Sequence, residues 1–287
     1  MRILLLPQSY PPRVGGLEAV AHALAVQLAG RGHEVRVLTN RYPRDLPRHE
    51  VRDGIDVQRA LFLAPRAGLL ARWRLDLWLA SLPLAPAAGR RLRRLVEEFR
   101  PDVVNVHFPD AMIPFVLALR RAHRFRLVVS LHGHEVMRFG GGAAARGGCR
   151  PLCRLLREAD AVTACSGDLL DAAARLEPAA AARGVVIHNG IDPARFGDTA
   201  RFAHPRPYVL ATRVGGLGEF LDQFVASAPG NAPVVLVPPS PDGLAEGLRA
   251  CLRSEWLAAD RREAARTILQ DWTWSQAAQK YEEVLAG

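Results

Sequence analysis

The chain has 287 residues, 49% hydrophobic and 23% charged, an ordinary balance for a soluble globular protein that needs no disulfide or metal to hold its core. Its net charge of +9 favours phosphate-bearing partners, such as nucleotides or anionic lipid headgroups, whereas no basic run interleaved with aromatic residues points to nucleic acid. No uncharged apolar stretch reaches the ~18 residues of a membrane-spanning helix, so a cytoplasmic protein is expected.

Short apolar runs alternate with helix-like periodicity through residues 1–190. The runs predict strands at Ile3–Leu6, Glu34–Thr39, Ile55–Ala60, Asp102–His107, Leu127–His132, Ala161–Ser166 and Val185–His188. The periodic segments predict helices at Leu17–Ala29, Ala111–Ala122, Pro151–Glu158 and Leu169–Leu176, and helical pieces within 66–99 that Pro83 and Pro86 interrupt. This alternation predicts an α/β fold whose N-terminal Rossmann-like domain, residues 1–190, is a doubly wound parallel sheet.

The remaining residues predict a linker and a second, smaller domain. Residues 191–206 are rich in turn-forming residues and lack periodicity, which indicates a linker. Residues 207–287 predict an α/β C-terminal domain with strands at Tyr208–Ala211 and Val234–Val237 and helices at 218–226, 244–252, 258–270 and 274–285. Two strands are few for a Rossmann domain, so we expect a truncated domain whose last helix packs back on the first one.

A glycine pair lies between the first predicted strand and the first predicted helix. Gly15 and Gly16 would let a phosphate approach the backbone at a helix N-terminus, where the helix dipole favours an anion. The spacing is not that of a dinucleotide-binding motif, and a structural turn is the alternative interpretation.

Two histidines end neighbouring predicted strands. His107 and His132 each follow an apolar run, and the carboxyl ends of parallel strands line the ligand crevice of such sheets. A lone histidine is more often a packing residue, but two at adjacent strand ends favour a site and packing about equally. The sequence has no nucleophile elbow and no Walker loop, so hydrolase and kinase functions lack the residues that they require.

Six segments carry a more specific signal. They read PPRVGGLEAV at 11–20, RGHEVRVLT at 31–39, PDVVNVH at 101–107, VVSLHG at 128–133, ADAVTACS at 159–166 and VIHNGIDPARF at 186–196. Together, and in this order, they resemble the family 4 glycosyltransferases, which are retaining enzymes of the GT-B fold with two Rossmann domains facing across a cleft. The resemblance covers nearly all of residues 1–200.

The resemblance implies transfer of a hexose from a nucleotide sugar, the co-substrate, to a hydroxyl acceptor that in this family is often lipid-linked. It implies retention of configuration and no metal or other cofactor. By position, Gly15 and Gly16 match the loop that meets the donor phosphate, and His132 matches a catalytic histidine near the transferred sugar. His107 is a further candidate for substrate binding, and residues 189–192 match the signature that opens the interdomain linker.

The C-terminal half departs from the family pattern after its first strand. Residues 212–220 resemble a much later stretch of the family, which indicates an internal deletion near Ala211. The deletion would remove the lysine that grips the donor diphosphate and the paired glutamates, and Lys280 in the last helix is the only lysine of the chain. Arg213 is the remaining candidate for the diphosphate. A non-catalytic acceptor- or partner-binding remnant is therefore the alternative to an enzyme.

The segment 66–99 also suggests a membrane surface. It combines two tryptophans and many leucines with an arginine cluster: Trp73, Trp78, Arg90, Arg91, Arg93 and Arg94. Basic and aromatic residues on one helical face suit peripheral contact with an anionic bilayer, here at the inner face of the membrane. A solvated helix with a buried tryptophan face is the alternative, which we slightly favour.

Overall fold

A computed structural model describes residues 1–64, 73–139, 143–192 and 272–287, with short segments at 209–212, 234–237, 240, 242–243 and 245–246. Eight strands form one sheet: β1 (Arg2–Pro7), β2 (Glu34–Asn40), β3 (His49–Arg52), β4 (Ile55–Ala60), β5 (Val103–His107), β6 (Arg126–Leu131), β7 (Ala161–Ala164) and β8 (Gly184–Val186). Their order across the sheet is β3-β4-β2-β1-β5-β6-β7-β8. All neighbours pair in parallel except β3 and β4, which form an antiparallel hairpin. The predicted parallel sheet is therefore confirmed.

The edge strand β3 was not predicted from the sequence. Its residues alternate between exposed and half-buried positions and include no run of apolar side chains. A short, polar strand of this kind is typical of a sheet edge, where one side meets solvent.

The helices cover both faces of the sheet. In chain order they are α1 (Gly16–Gly30), α2 (Leu75–Phe99), α3 (Ile113–Ala122), α4 (His134–Met137), α5 (Ala143–Glu158), α6 (Gly167–Leu176), α7 (Ala179–Ala182) and α8 (Trp274–Ala286). Because side chains alternate along each strand, successive residues enter two separate cores. Ile3 and Leu5 pack in one core with α1 and α8, whereas Leu4 and Leu6 pack in the other with α2, α3, α5 and α6.

One helix differs from its prediction. Helix α2 runs without interruption from Leu75 to Phe99, although Pro83 and Pro86 lie inside it. Both prolines are exposed, so the backbone carbonyls that lose a hydrogen-bonding partner can be solvated. The helix continues because its second half buries Leu92, Leu95, Val96 and Phe99 in the core.

The last helix, predicted at 274–285, is confirmed as α8, and it packs on the first sheet as expected. Thr273 and Gln276 form a capping box at its start. The side chains of Tyr281 and Leu285 are buried in the same core as α1. At the surface, Glu282 accepts hydrogen bonds from Arg31 at 2.7 Å and from the ring of His33 at 2.8 Å.

The structure describes little of the predicted second domain. Strands β9 (Val209–Thr212) and β10 (Val234–Val237) pair in parallel, close to their predicted bounds. Most of the linker at 191–206 and of the helices predicted at 218–226, 244–252 and 258–270 lies outside the described residues. The domain limits therefore remain a prediction.

Candidate functional site

The two predicted histidines meet at the carboxyl edge of the sheet. His107 is the last residue of β5 and His132 follows the neighbouring strand β6, so parallel pairing places both at the same edge. Nδ1 of His107 lies 3.1 Å from Nε2 of His132, and the two rings stack with centroids 5.3 Å apart. His107 is fully buried, whereas His132, at the same edge of the sheet, is partly exposed to solvent.

Burial keeps both rings neutral. It lowers the pKa of His132 from 6.5 to about 4. Burial and the neighbouring His132 hold the pKa of His107 well below its ordinary value. Two neutral imidazoles can share one proton in a hydrogen bond, and at neutral pH His132 can offer a hydrogen bond to a ligand without adding a charge.

A buried glutamate fixes the backbone beside His132. The carboxylate of Glu135 accepts hydrogen bonds from the backbone N–H of His132 and, at 3.1 Å, from that of Gly133. Gly133 has φ of +142°, a conformation that side-chain-bearing residues rarely adopt, so glycine permits the turn that follows His132. Although its hydrogen bonds act in the opposite direction, burial raises the pKa of Glu135. This role of Glu135 was not predicted from the sequence. The only local signal for it is that an acidic residue stands at the start of a short helix.

The glycine pair lies at the N-terminus of α1, on the same edge as the histidines. Its loop leaves β1, whose last residue Pro7 is in register with His107. The loop is anchored by Tyr10, whose hydroxyl lies 2.9 Å from Nδ1 of His22. No atom lies within 4 Å of the position that a Cβ would take on Gly16, while the carboxylate of Glu18 lies beside Gly15. The backbone of Gly16 is therefore open, but a negative charge stands next to it.

A column of buried polar side chains supports the histidines from within the sheet. Ser130 donates a hydrogen bond of 2.9 Å to Oδ1 of Asn105, and Thr163 donates one of 2.8 Å to Ser130. The hydroxyl of Tyr281, from α8, lies 3.4 Å from Oγ1 of Thr163, and its ring centroid is 5.9 Å from that of His107. Sequence reasoning missed this column, because Tyr281 is remote along the chain and gives no local signal.

The predicted linker signature has a structural partner in the last helix. The N–H of Ile191 donates to the carbonyl of Trp272 at 2.7 Å, and Ile191 forms an isolated parallel bridge with Thr273. A Cβ on Gly190 would lie 2.5 Å from backbone atoms of Trp274, so only glycine allows this close approach. This contact ties the end of the first sheet to the start of α8.

Some candidate groups cannot be placed in this site. Arg213 lies outside the described residues. Within the described ranges, no three histidine, cysteine or acidic side chains converge in a way that could hold a metal ion. None of the helices among the described residues is both long and apolar enough to cross a bilayer.

The sequence comparisons agree with the motifs. The model of Glycosyltransferase Family 4 matches residues 14–195. The glycogen synthase of Mycobacterium tuberculosis is 33% identical over 222 residues, which cover 73% of this chain and 53% of that protein. The chain thus spans about half the length of the curated relatives it matches.

The fold is also that of solved GT-B glycosyltransferases. A sucrose-phosphate synthase from Thermosynechococcus elongatus superposes with a TM-score of 0.71 over 100% of both chains, at 14% identity. A glycosyltransferase from Rickettsia africae superposes with a TM-score of 0.61 over 99% of this chain and 98% of its own, at 10% identity. Because the family match covers more than half of the chain and includes both the glycine pair and His132, the protein belongs to glycosyltransferase family 4.

Proposed function

We propose that the protein transfers a hexose from a nucleotide sugar to a hydroxyl acceptor with retention of configuration, and that His132 contacts the transferred sugar. The observation that carries this proposal is the pair of neutral histidines at the carboxyl edge of the sheet, beside an open glycine at a helix N-terminus. An edge of this kind is where open α/β sheets bind their ligands.

The hydrogen bonds of the two histidines indicate which nitrogen of His132 carries a proton. Nε2 of His107 is buried and has no hydrogen-bond partner among the described residues. A buried N–H without an acceptor is rarer than a buried acceptor without a donor, which favours a bare Nε2 on His107. His107 then donates from Nδ1 to Nε2 of His132, and His132 carries its own proton on Nδ1. That N–H can hold a sugar hydroxyl or the oxygen of the departing group.

The donor diphosphate is proposed to lie at Gly15 and Gly16, where α1 begins. The dipole of a 15-residue helix favours an anion there. The carboxylate of Glu18 opposes that anion, so a cation is needed nearby, and Arg213 is the proposed one. Loss of the family's lysine makes slow turnover the expected behaviour of this chain.

A non-catalytic, acceptor- or partner-binding role is the second candidate. The observation that favours it is Lys280, the only lysine, which lies on α8 between its buried positions Ala277 and Tyr281. No lysine is therefore available for a donor diphosphate elsewhere in the chain. In this role the first sheet would keep its acceptor-side contacts while transfer is lost.

The transfer assay separates the two candidates. The purified chain is incubated with radiolabelled UDP- or GDP-sugars and a hydroxyl acceptor, alongside His132→Ala and, as a control, His123→Ala, which lies at the end of α3. Slow transfer that His132→Ala abolishes and His123→Ala preserves supports the enzyme. Binding of the acceptor without any transfer supports the second candidate.

We further propose that the acceptor is lipid-linked and that the protein makes peripheral contact with the membrane. Along the first half of α2, Leu75, Leu79 and Leu82 lie on one face, and each is about half exposed, while Trp73 is 94% exposed. Exposed leucines at this spacing suit insertion into a bilayer surface better than a solvated helix. Sedimentation with anionic vesicles that is unchanged by Leu75→Ser with Leu79→Ser would remove this part of the proposal.

A further inference from the structure

A second site of distinct chemistry lies between α2 and the β3–β4 edge of the sheet. A cavity of about 540 Å³ opens there. It is lined by six arginines and one glutamate: Arg41, Arg48, Arg59, Arg90, Arg91, Arg94 and Glu98. Apolar side chains, among them Leu61 and Leu84, complete the wall. We refer to this cavity as the arginine cavity.

Most of its positive charge is not balanced by the protein. Arg59 is neutralised, because Nη2 donates to Glu50 at 2.6 Å. Arg48, Arg90 and Arg94 are exposed, and no carboxylate of the described residues forms an ion pair with them. Like charges that share one concave wall repel one another, so an anion between them would stabilise this arrangement.

Two of the lining arginines also have a buried nitrogen atom that lacks an acceptor among the residues that the structure describes. The Nε atoms of Arg59 and Arg91 are buried and have no hydrogen-bond partner within the described part of the chain. The other contact of Arg91 is a hydrogen bond of 3.1 Å from Nη2 to Oε1 of Gln58. A buried donor without an acceptor is costly and rare in native proteins, and each instance calls for a specific explanation.

The arginine cavity is separate from the histidine pair. It shares no lining residue with that site, and two strands, β2 and β1, lie between β4 and β5 in the sheet. At about 4.8 Å between neighbouring strands, this separation is roughly 14 Å. The cavity does border the glycine loop, because Nη2 of the cavity-lining Arg59 also donates to the carbonyl of Pro11 at 2.7 Å.

We propose that the arginine cavity binds a phosphate ester. Guanidinium groups match the oxygens of a phosphate with paired hydrogen bonds, and several of them suit a doubly charged group. The volume exceeds that of a phosphate alone, and the leucines of the wall suit an organic portion beside it. A soluble sugar phosphate and the phosphate of a lipid headgroup share this chemistry.

The test uses two variants of equal charge. Arg90→Gln with Arg94→Gln removes two exposed arginines of the cavity. Arg93→Gln with Arg124→Gln removes two exposed arginines that do not line it. Binding of inorganic phosphate and of glucose 6-phosphate is followed by calorimetry in an uncharged buffer at low salt. Flotation with phosphatidylcholine vesicles, with and without phosphatidic acid, forms the lipid arm.

The first variant is expected to weaken binding at least about tenfold, the effect of losing one charge-assisted hydrogen bond, while the second leaves binding unchanged. Binding of glucose 6-phosphate identifies a soluble ester, and binding only to vesicles that contain phosphatidic acid identifies a lipid. If the wild type binds neither, or if both variants weaken binding equally, the proposal is overturned. Transfer activity is not needed for either readout, so failure here leaves the proposed function untouched.

Discussion

At the scale of single residues, the neutral histidine pair couples stability to pH. The unfolded chain binds protons at both rings below about pH 6.5, whereas the folded pKa of His132 is about 4 and that of His107 is lower than normal. Protons therefore favour the unfolded state, and stability falls as the pH drops from about 6.5 towards 4. The raised pKa of Glu135 acts in the opposite direction, since its folded form binds a proton more readily.

The first prediction concerns His107→Gln, which removes one of the two titrating rings. Each excluded proton costs roughly 1.4 kcal/mol of unfolding free energy per pH unit. Urea unfolding at about pH 7.5 and about pH 5 is expected to show a smaller loss of stability at acid pH in the variant than in the wild type. Equal losses in the two proteins would show that His107 titrates normally in the folded state.

The second prediction concerns the buried carboxylate beside the catalytic candidate. Glu135→Ala leaves the N–H groups of His132 and Gly133 without their acceptor, which is expected to cost about 1–3 kcal/mol of stability. Chemical denaturation measures this cost. Glu158→Ala, which removes an exposed ion pair with Arg154 on α5, serves as control and is expected to cost well under about 1 kcal/mol. A Glu135→Ala variant as stable as the control would show that the carboxylate does not hold this turn.

At the scale of elements, α8 closes the face of the sheet on which the histidines lie. It fills the core with Tyr281 and Leu285, places a hydroxyl at the polar column and receives Ile191 at its first turn. Burial raises the pKa of Tyr281, with opposing hydrogen bonds to Thr163 and Ser130, so the phenol stays protonated and available as a donor. A helix remote in sequence thus completes the support of the site.

The third prediction distinguishes two contributions of Tyr281 in α8: the packing of its ring in the core and the hydrogen bonding of its hydroxyl. Tyr281→Phe keeps the ring and is expected to cost about 1 kcal/mol through the lost hydroxyl, whereas Tyr281→Ala opens a cavity and is expected to cost about 3–5 kcal/mol. Glu283→Ala, at an exposed position of the same helix, is the control. Equal effects of the phenylalanine and alanine variants on the urea midpoint would contradict the packing role.

At the scale of the whole molecule, the two proposed anion sites, the arginine cavity and the glycine loop, differ in the number of arginines around them. The arginine cluster on α2 lines the arginine cavity, whereas the glycine loop has Arg13, which lies over the ring of Tyr42, and the carboxylate of Glu18 beside Gly15. A leaving diphosphate in a site without metal needs cations close to it. We propose Arg213 as one such cation, and the loss of the family's lysine is expected to weaken donor binding.

The fourth prediction is weak donor binding by the chain alone. Losing one charge-assisted contact to the diphosphate typically costs about 2–4 kcal/mol, and the family's lysine is missing. Calorimetric titration with UDP-glucose and GDP-mannose is expected to give a Kd weaker than about 1 mM. Glu18→Gln removes the opposing carboxylate and is expected to tighten binding. Micromolar binding by the wild type would contradict this prediction and show that other cations replace the missing lysine.

The sequence by itself determined the alternation of strands and helices, the parallel sheet and the identity of the strand-end residues His107 and His132. These features follow from local periodicity and from short motifs, which need no knowledge of distant contacts. The same local reasoning broke α2 at two prolines, because it could not see the core contacts that keep the helix intact.

Only the tertiary structure decided which groups meet. It placed Nδ1 of His107 at 3.1 Å from His132, turned Glu135 back onto the preceding turn and brought Tyr281 against the polar column. It also gathered arginines from the loop between β2 and β3, from β4 and from α2 around one cavity. Such contacts join residues far apart in the chain, and the burial that makes two histidines neutral exists only when the strands and the last helix have packed together.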